Sequence, residues 1–255
     1  MSLIDTHAHL YLPEFNDDID EVMQRATENG IEKILLPNID SESIEPLLNL
    51  VSKYPNKLLP MMGLHPTSVK ADYESELAIV ADKLQHGKFC AIGEIGIDLY
   101  WDSTFYKEQV KAFKSQIEMA LHYDLPIVVH ARDSFDEILE VLSEYKNSNL
   151  KGVLHSFAGS DQHAEKAIAM GFYLGVGGIS TFKNSGVGEI IARQPIEKLI
   201  LETDSPYLAP TPKRGKRNES AYVRYVADKL AMNKQVDVSE IEKITTANAQ
   251  KLFKL

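Results

Sequence analysis

The stretch IDTHAHL, residues 4 to 10, places two histidines two residues apart at the end of a predicted strand. In a strand, residues i and i+2 point to the same side, so His7 and His9 are expected to point in one direction. Neutral imidazole is a ligand for Zn, Mn, Fe or Ni. The pair therefore raises the hypothesis of a metal site, which needs further ligands from other parts of the chain.

Similar polar residues fall at or near the carboxyl ends of other predicted strands. A single histidine there is more often a hydrogen-bonded core or rim residue than a ligand, but five of the eight histidines share this placement. The full set is His7, His9, His65, Glu94, His130, His155 and Asp204. Imidazoles and carboxylates that converge in one pocket need a cation to neutralise them, so the set predicts a divalent metal centre.

The number of candidate ligands bears on the chemistry. A mononuclear catalytic centre uses about three or four ligands, and this chain offers more. Two divalent ions about 3.5–4 Å apart, bridged by a carboxylate and a water, would use the whole set and would make that water acidic enough to attack near neutral pH. Hydrolysis is the reaction that such a centre predicts.

Eight short aliphatic or β-branched runs alternate with segments of helical spacing, such as those near residues 17–30, 103–124 and 133–147. This alternation predicts an α/β chain folded as a single (β/α)8 TIM-like barrel domain over residues 1–255. No G-x-G-x-x-G follows the first strand, which argues against a dinucleotide site. In a barrel the carboxyl ends of the strands meet at one mouth, where the candidate ligands would gather.

Net charge and hydropathy bear on the compartment of the protein and on its contacts with nucleic acid and membranes. The net charge of −10 argues against a protein that coats nucleic acid non-specifically, although a local basic patch remains compatible with it. The opening MSLIDTHAHL lacks the basic start and long apolar core of a signal peptide, and no apolar run is long enough to span a bilayer. We therefore expect a cytoplasmic protein with no membrane contact and no obligate protein partner.

A series of motifs carries a resemblance that spans nearly the whole chain in order. The motifs are IDTHAHL, GLHP at 63–66, GEIGIDLYW at 93–101, PIVVHAR at 126–132, GVLHSFAG at 152–159, ETDSPYLAP at 202–210, RGKRN at 214–218 and TTANAQKLF at 245–253. An H-x-H pair alone is weak, but the series together is specific. The chain resembles the TatD family of metal-dependent hydrolases, within the amidohydrolase superfamily.

The resemblance implies a TIM-like barrel with one or two metal ions, and a magnesium-dependent deoxyribonuclease that is often a 3′ to 5′ exonuclease on single-stranded DNA. DNA would be a transient substrate, and the cofactor would be a divalent metal, two ions of Mg²⁺, Zn²⁺ or Mn²⁺. Carried onto this sequence, His7, His9, Glu94 and Asp204 would hold one ion. Glu94, as the bridging ligand, would hold the second with His130 and His155.

The resemblance also implies roles beyond ligation. Asp204 would accept the proton of the attacking water, and His65 would contact the scissile phosphate or steer the leaving oxygen. Arg132 and Arg214 are the expected phosphate contacts, because guanidinium matches phosphate oxygens. Lys216 and Arg217, in the same loop as Arg214, are interpreted as surface charge.

Two features have open interpretations. Glu202 alternates with Asp204, so the two carboxylates share a strand face if the strand is regular there; Glu202 then either forms a structural salt bridge or orients a ligand. The aromatic residues Tyr100, Trp101 and Phe105 follow Glu94 and either stack on a nucleobase or simply pack beside the barrel mouth.

Two other functions remain open from the sequence. One is a different ester or amide hydrolase on the same centre, such as a D-aminoacyl-tRNA deacylase, because barrels exchange substrates through their loops. Assays on labelled single-stranded DNA and on charged D-aminoacyl-tRNA separate the two. The other is a non-catalytic metal-binding or partner-binding protein, in which metal removal would lower the melting temperature and change no activity.

Overall fold

The computed structural model describes residues 2–255, and its eight parallel strands form the barrel predicted from the sequence. The strands are β1 Leu3–Asp5, β2 Ile31–Leu36, β3 Leu58–Pro60, β4 Ile92–Asp98, β5 Ile127–Arg132, β6 Gly152–Leu154, β7 Tyr173–Val176 and β8 Leu199–Leu201. The helices are α1 Ile19–Glu28, α2 Ser41–Lys53, α3 Tyr73–His86, α4 Tyr106–Tyr123, α5 Phe135–Glu144, α6 Asp161–Ala169, α7 Val187–Arg193, α8 Val223–Lys234 and α9 Val238–Phe253.

The barrel is built from a three-stranded sheet, β1–β3, and a five-stranded sheet, β4–β8, joined at two seams. At the first seam Ala8 forms a parallel bridge with Ser205, and the Thr6 N–H donates to Leu201 O at 3.0 Å. At the second, Met62 bridges Ile92 in parallel. Both seams are therefore closed by main-chain hydrogen bonds, and the sheet has a continuous mouth.

Local sequence chemistry explains several helix ends. Asp40 and Ser160 begin α2 and α6 as capping boxes, in which side chain and backbone satisfy each other's free N–H groups. Gly30 and Gly171 follow α1 and α6 with φ of 76° and 93°, a region that glycine adopts without strain. Within residues 2–255, no helix is long and apolar enough to cross a membrane.

Strand side chains alternate between two buried layers, as a period of two requires. One layer lies between the strands and the surrounding helices. The other contains Ile4, Leu35, Val128, Val153 and Ile200, and Leu252 and Phe253 of α9 pack against it. Since Ile4, Val128 and Ile200 come from both sheets, this second layer fills the barrel interior, and α9 covers the end opposite the mouth.

Candidate metal centre

The inward-facing rows of the strands continue from the apolar interior to polar residues at the mouth. Two residues beyond Val128 on β5 comes His130, and two beyond Val153 comes His155, just after β6. Because the side-chain period is two, each histidine lies above an apolar residue of the same row. The strand face that carries these apolar core residues therefore also directs the two imidazoles into the barrel mouth.

The other candidates reach the mouth from less regular backbone. Glu94 lies inside β4, whereas His7 and His9 lie two and four residues beyond β1. His65 lies five residues beyond β3, at the start of a short 3-10 helix, and Asp204 follows β8 with φ of 58°. The strands are thus shorter than the sequence pattern indicates, but all these residues converge at the carboxyl end of the barrel.

Oxygen Oε2 of Glu94 faces the two histidines of the opening motif. It lies 3.1 Å from His7 Nε2 and 3.6 Å from His9 Nε2, and these two nitrogens are 3.2 Å apart. Asp204 Oδ1 lies 3.8 Å from His7 Nε2 and 3.6 Å from His9 Nε2. One group of potential ligands therefore contains two imidazoles and two carboxylates.

Oxygen Oε1 of Glu94 faces a different group. It lies 2.8 Å from His155 Nε2, 2.9 Å from His130 Nδ1 and 3.5 Å from His65 Nε2. Glu94 is almost fully buried, so its two oxygens have no bulk water to solvate them. Each oxygen of this one carboxylate thus faces its own set of imidazoles.

Tautomers indicate which nitrogens can bind a cation. The Tyr11 hydroxyl donates to Pro37 O at 2.6 Å, so it accepts from His9 Nδ1 at 3.0 Å, and His9 Nε2 carries the lone pair. By contrast, the Thr67 N–H donates to His65 Nδ1 at 3.1 Å, so the ring proton of His65 is on Nε2. His9 is therefore suited to ligation, and His65 is suited to donating a hydrogen bond.

The donor set fits divalent cations. Three groups of potential ligand atoms lie within 4.8 Å of one another: His7 with His155 and Asp204; His7 with His9 and Glu94; and His65 with Glu94 and His130. Nitrogen and carboxylate oxygen ligands of this kind suit Zn, Mn and related ions. Each group shares a member with another, so the donors can hold either one ion or two neighbouring ions.

The electrostatics show what a cation would replace. Burial acts against the charged form of Glu94, but His155 and His7 hold its pKa well below the usual value. Burial likewise opposes protonation of His155, yet Glu94 and Glu202 raise its pKa well above the usual value. Among the protein groups, a proton on His155 therefore balances the negative charge of Glu94. A divalent cation would balance that charge without protonating an imidazole.

Burial has simpler effects on three other groups at the centre. It raises the pKa of Asp204 to about 6. Burial and the neighbouring His7 lower the pKa of His9 well below its usual value. Burial also lowers the pKa of His65. His9 and His65 are thus neutral imidazoles at pH 7, the form that can act as a metal ligand or as a neutral donor.

Carboxylates and a tyrosine support the imidazoles from behind. Asp98 Oδ2 lies 2.9 Å from His130 Nε2, and Glu202 Oε1 lies 3.3 Å from His155 Nδ1 and accepts from the Ser156 N–H. Glu202 therefore forms an ion-pair contact with His155, and its role in orienting that ring stays a prediction. Sequence reasoning missed Asp98 and the Tyr11 contact with His9; the D in GEIGID, two residues before the aromatic pair, was the available indication.

The expected phosphate contacts have different surroundings. The guanidinium of Arg132 lies over Tyr100, 4.0 Å from the ring centroid, and that of Arg214 lies 4.2 Å from the ring centroid of Phe182. Arg217 instead binds Asp18 in a bidentate pair, at 2.8 and 2.6 Å. The charge of Arg217 is therefore already neutralised, whereas a substrate role for Arg214 stays a prediction.

Comparisons with known proteins agree with this geometry. A family model described as TatD related DNase matches residues 4–254. The chain is 37% identical over 254 residues to the uncharacterized metal-dependent hydrolase YabD of Bacillus subtilis, covering 99% of each chain. It is 32% identical over 260 residues to the 3′-5′ ssDNA/RNA exonuclease TatD of Salmonella typhimurium, again covering 99% of each.

A solved structure extends the likeness to the fold. The crystal structure of YjjV, a TatD homologue from Escherichia coli, superposes with a TM-score of 0.93 at 31% identity, covering 99% of this chain and 98% of that one. The barrel, its cluster of imidazoles and carboxylates, and these relatives define a metal-dependent hydrolase. The chain belongs to the TatD-related DNase family.

Proposed function

We propose that this hydrolase cleaves phosphodiester bonds at the ends of single-stranded DNA, in the 3′ to 5′ direction. The observation that carries the proposal is Glu94, whose two oxygens face separate groups of imidazoles at 2.8–3.6 Å. Cations held by these groups would stabilise the charge that develops on the oxygens of a phosphoryl displacement. A relative named as a 3′-5′ ssDNA/RNA exonuclease supports this choice of substrate and polarity.

Six residues would hold the cations: His7, His9, Glu94, His130, His155 and Asp204. Bound there, divalent ions supply Lewis-acid polarisation of the phosphoryl group and make water more acidic. Their identity among Mg²⁺, Zn²⁺ and Mn²⁺, and their number, belong to the proposal. The protein's part is to fix these donors in a buried mouth, so that little reorganisation is needed when substrate binds.

Asp204 is the proposed proton acceptor. Its Oδ1 faces His7 and His9, so Oδ2 is the atom that would take the proton of the attacking water. The φ of 58° at Asp204 turns the chain sharply after β8, and its N–H donates to His7 O at 2.9 Å. The carboxylate is thereby fixed against the first strand, where a general base needs a defined position.

His65 is the proposed phosphate contact. Its proton is on Nε2, directed towards His130 Nδ1 at 3.3 Å and Glu94 Oε1 at 3.5 Å. A phosphoryl oxygen that reaches Nε2 would accept a hydrogen bond from it. Arg132 and Arg214, at the rim, would bind neighbouring phosphates, since neither has a carboxylate within ion-pair distance among residues 2–255.

The test is a substrate screen with metal control. Metal-free protein is assayed on single-stranded DNA labelled at the 3′ or the 5′ end, on duplex DNA, on RNA and on charged D-aminoacyl-tRNA, with Mg²⁺, Mn²⁺ or Zn²⁺ added back. We expect metal-dependent release of mononucleotides from the 3′ end of single-stranded DNA, absent in Glu94→Gln. Turnover of the aminoacyl ester alone would replace the proposal with a deacylase, and no turnover with any metal would leave a non-catalytic metal-binding protein.

A further inference from the structure

Two of the most exposed aromatic side chains lie side by side after β4. Tyr100 is 54% exposed and Trp101 is 67% exposed, and their rings meet edge to face with centroids 5.1 Å apart. The guanidinium of Arg132 lies 4.0 Å from the Tyr100 centroid and 5.3 Å from the Trp101 centroid. Adjacent exposed aromatics form a contiguous apolar surface, which is more informative about binding than a singly exposed side chain. We call Tyr100, Trp101 and Arg132 the aromatic platform.

Asp98 connects the aromatic platform to the candidate metal centre, because it contacts both. Asp98 Oδ1 accepts hydrogen bonds from the backbone N–H groups of Tyr100 and Trp101, each at 3.0 Å. Its other oxygen, Oδ2, lies 2.9 Å from His130 Nε2. Arg132 is two residues beyond His130 on β5, which is roughly 7 Å along the strand. A group stacked on the platform would therefore lie about one nucleotide away from the candidate centre.

The charge and the aromatic rings of the platform indicate which kind of ligand it would bind. Arg132 has no ion-pair partner among residues 2–255, so its charge is available for a phosphate, to which guanidinium binds bidentately. The exposed rings offer π-faces, on which a nucleobase stacks with little regard to its identity. The nearby Asp102 lies 3.6 Å from Lys70, which offsets its repulsion of phosphate. A base with an adjoining phosphate matches both parts.

We propose that the aromatic platform is a subsite for an unpaired nucleobase next to the scissile nucleotide, so that the chain selects single-stranded ends by stacking. This inference deepens the proposed function and depends on it for the substrate class. A base inside a duplex has both faces covered by its neighbours, so it cannot stack on Trp101 without first leaving the duplex. The platform thus accounts for single-strand preference without base-specific hydrogen bonds.

Trp101 provides its own probe, because it is the one tryptophan in the chain. The full-length protein with Mg²⁺ is titrated with a cleavage-resistant phosphorothioate oligothymidylate, and with an abasic oligomer of the same length and charge. We expect saturable quenching of Trp101 fluorescence by the base-bearing oligomer and affinity for the abasic oligomer weaker by about 5- to 150-fold, the range that one stacked base provides. A blunt-ended phosphorothioate duplex should quench little.

Variants separate stacking from charge. By fluorescence anisotropy of labelled oligomers, Trp101→Ala should lose affinity for the base-bearing oligomer and retain its affinity for the abasic one, whereas Trp101→Phe should keep most of both. Tyr123→Ala, at the far end of α4, removes a tyrosine that is 36% exposed and should change neither. Equal affinities for the two oligomers, or an equal loss of both in Trp101→Ala, would overturn the subsite.

Failure of the subsite and failure of the proposed function give different results. Base-dependent quenching without cleavage of any unmodified nucleic acid would keep the subsite and reject the nuclease. Cleavage of single-stranded DNA at a KM that is unchanged in Trp101→Ala would keep the nuclease and reject the subsite. No binding of any oligomer would reject both.

Discussion

Asp98 holds His130 from behind: its Oδ2 lies 2.9 Å from His130 Nε2, on the side of the ring away from Glu94. Burial acts against the charged form of Asp98, but the contacts with His130 and with the N–H groups of Trp101 and Tyr100 keep its pKa below the usual value. The carboxylate is therefore ionised and accepts the Nε2–H of His130. With a cation in place of the Nδ1 proton, this bond would hold the ring in the tautomer whose Nδ1 lone pair faces the mouth.

Asp98→Asn should lower metal affinity by about 10- to 100-fold, the usual effect of losing a carboxylate behind a ligating histidine. The fold should persist, because Asn still accepts the backbone hydrogen bonds through its carbonyl oxygen. Metal titration by isothermal calorimetry measures the affinity, and circular dichroism monitors the fold. Asp102→Asn, four residues later and exposed, is the matched control. Equal metal affinity in Asp98→Asn and in the control would show that Asp98 does not position His130.

Glu94→Gln should abolish turnover and lower metal content more than any other single ligand change. A bridging carboxylate serves both ions and balances their charge, and an amide does neither. Metal content is measured by inductively coupled plasma mass spectrometry after gel filtration. Glu202→Gln is the comparison, because Glu202 reaches the centre only through His155 and should cost less. A Glu94→Gln protein with near-normal metal content and activity would refute the bridged centre.

Changing His7 and His9 together to Ala should empty at least one cation position while the barrel stays folded. The two imidazoles face Glu94 and Asp204, whereas the neighbouring Ala8 and Leu10 belong to the hydrophobic core and remain. Metal content and the melting curve are measured on the same preparation. An unfolded double variant would show instead that the pair is structural.

Asp204→Asn should lower the rate more than it lowers substrate affinity. The amide oxygen can still face a cation, but it cannot accept a proton, and general-base catalysis contributes roughly 10²- to 10⁴-fold. With the loss of ligand charge, the barrier should rise by several kcal/mol. Single-turnover rate and Kd on a short single-stranded oligonucleotide separate the two effects. An unchanged rate would exclude the mechanism, and equal losses would make Asp204 a binding residue.

Two arginines of one loop should behave in opposite ways. Arg217→Ala removes a bidentate pair with Asp18 and packing on Phe15, so it should destabilise the fold by about 1 kcal/mol, or a Tm shift of about 2–4 °C. Arg214→Ala should leave Tm unchanged and weaken binding of single-stranded DNA, with a shallower salt dependence. The reverse pattern would move the phosphate contact to Arg217.

The sequence predicted the barrel because eight apolar runs, separated by helices, leave few other architectures. It also predicted that His130 and His155 lie at the barrel mouth, because a strand that continues from Val128 to His130 or from Val153 to His155 keeps one face inward. The period of two carries that information within a single segment. What lies on one strand was therefore readable from the pattern alone.

Contacts between segments were not readable in this way. The pairing of Asp98 with His130 depends on the register of β4 against β5, where Gly96 lies opposite His130 and Asp98 opposite Arg132. A register shift lies between Ile92 and Ile95 within β4, and no local pattern predicts it. Arg217 likewise looked like ordinary surface charge, because its partner Asp18 lies near the other end of the chain.

The seam between β1 and β8 joins the first and last strands of the barrel, where Asp204 N–H donates to His7 O at 2.9 Å. On the ribosome, His7 and His9 are the first of the candidate ligands to be synthesised. Asp204, which faces them, is the last. Contacts so far apart in sequence form late in folding, because a long loop must close before they can form. The nascent chain therefore lacks the complete set of candidate ligands until the last strand closes the barrel, so assembly of the centre is coupled to completion of the fold.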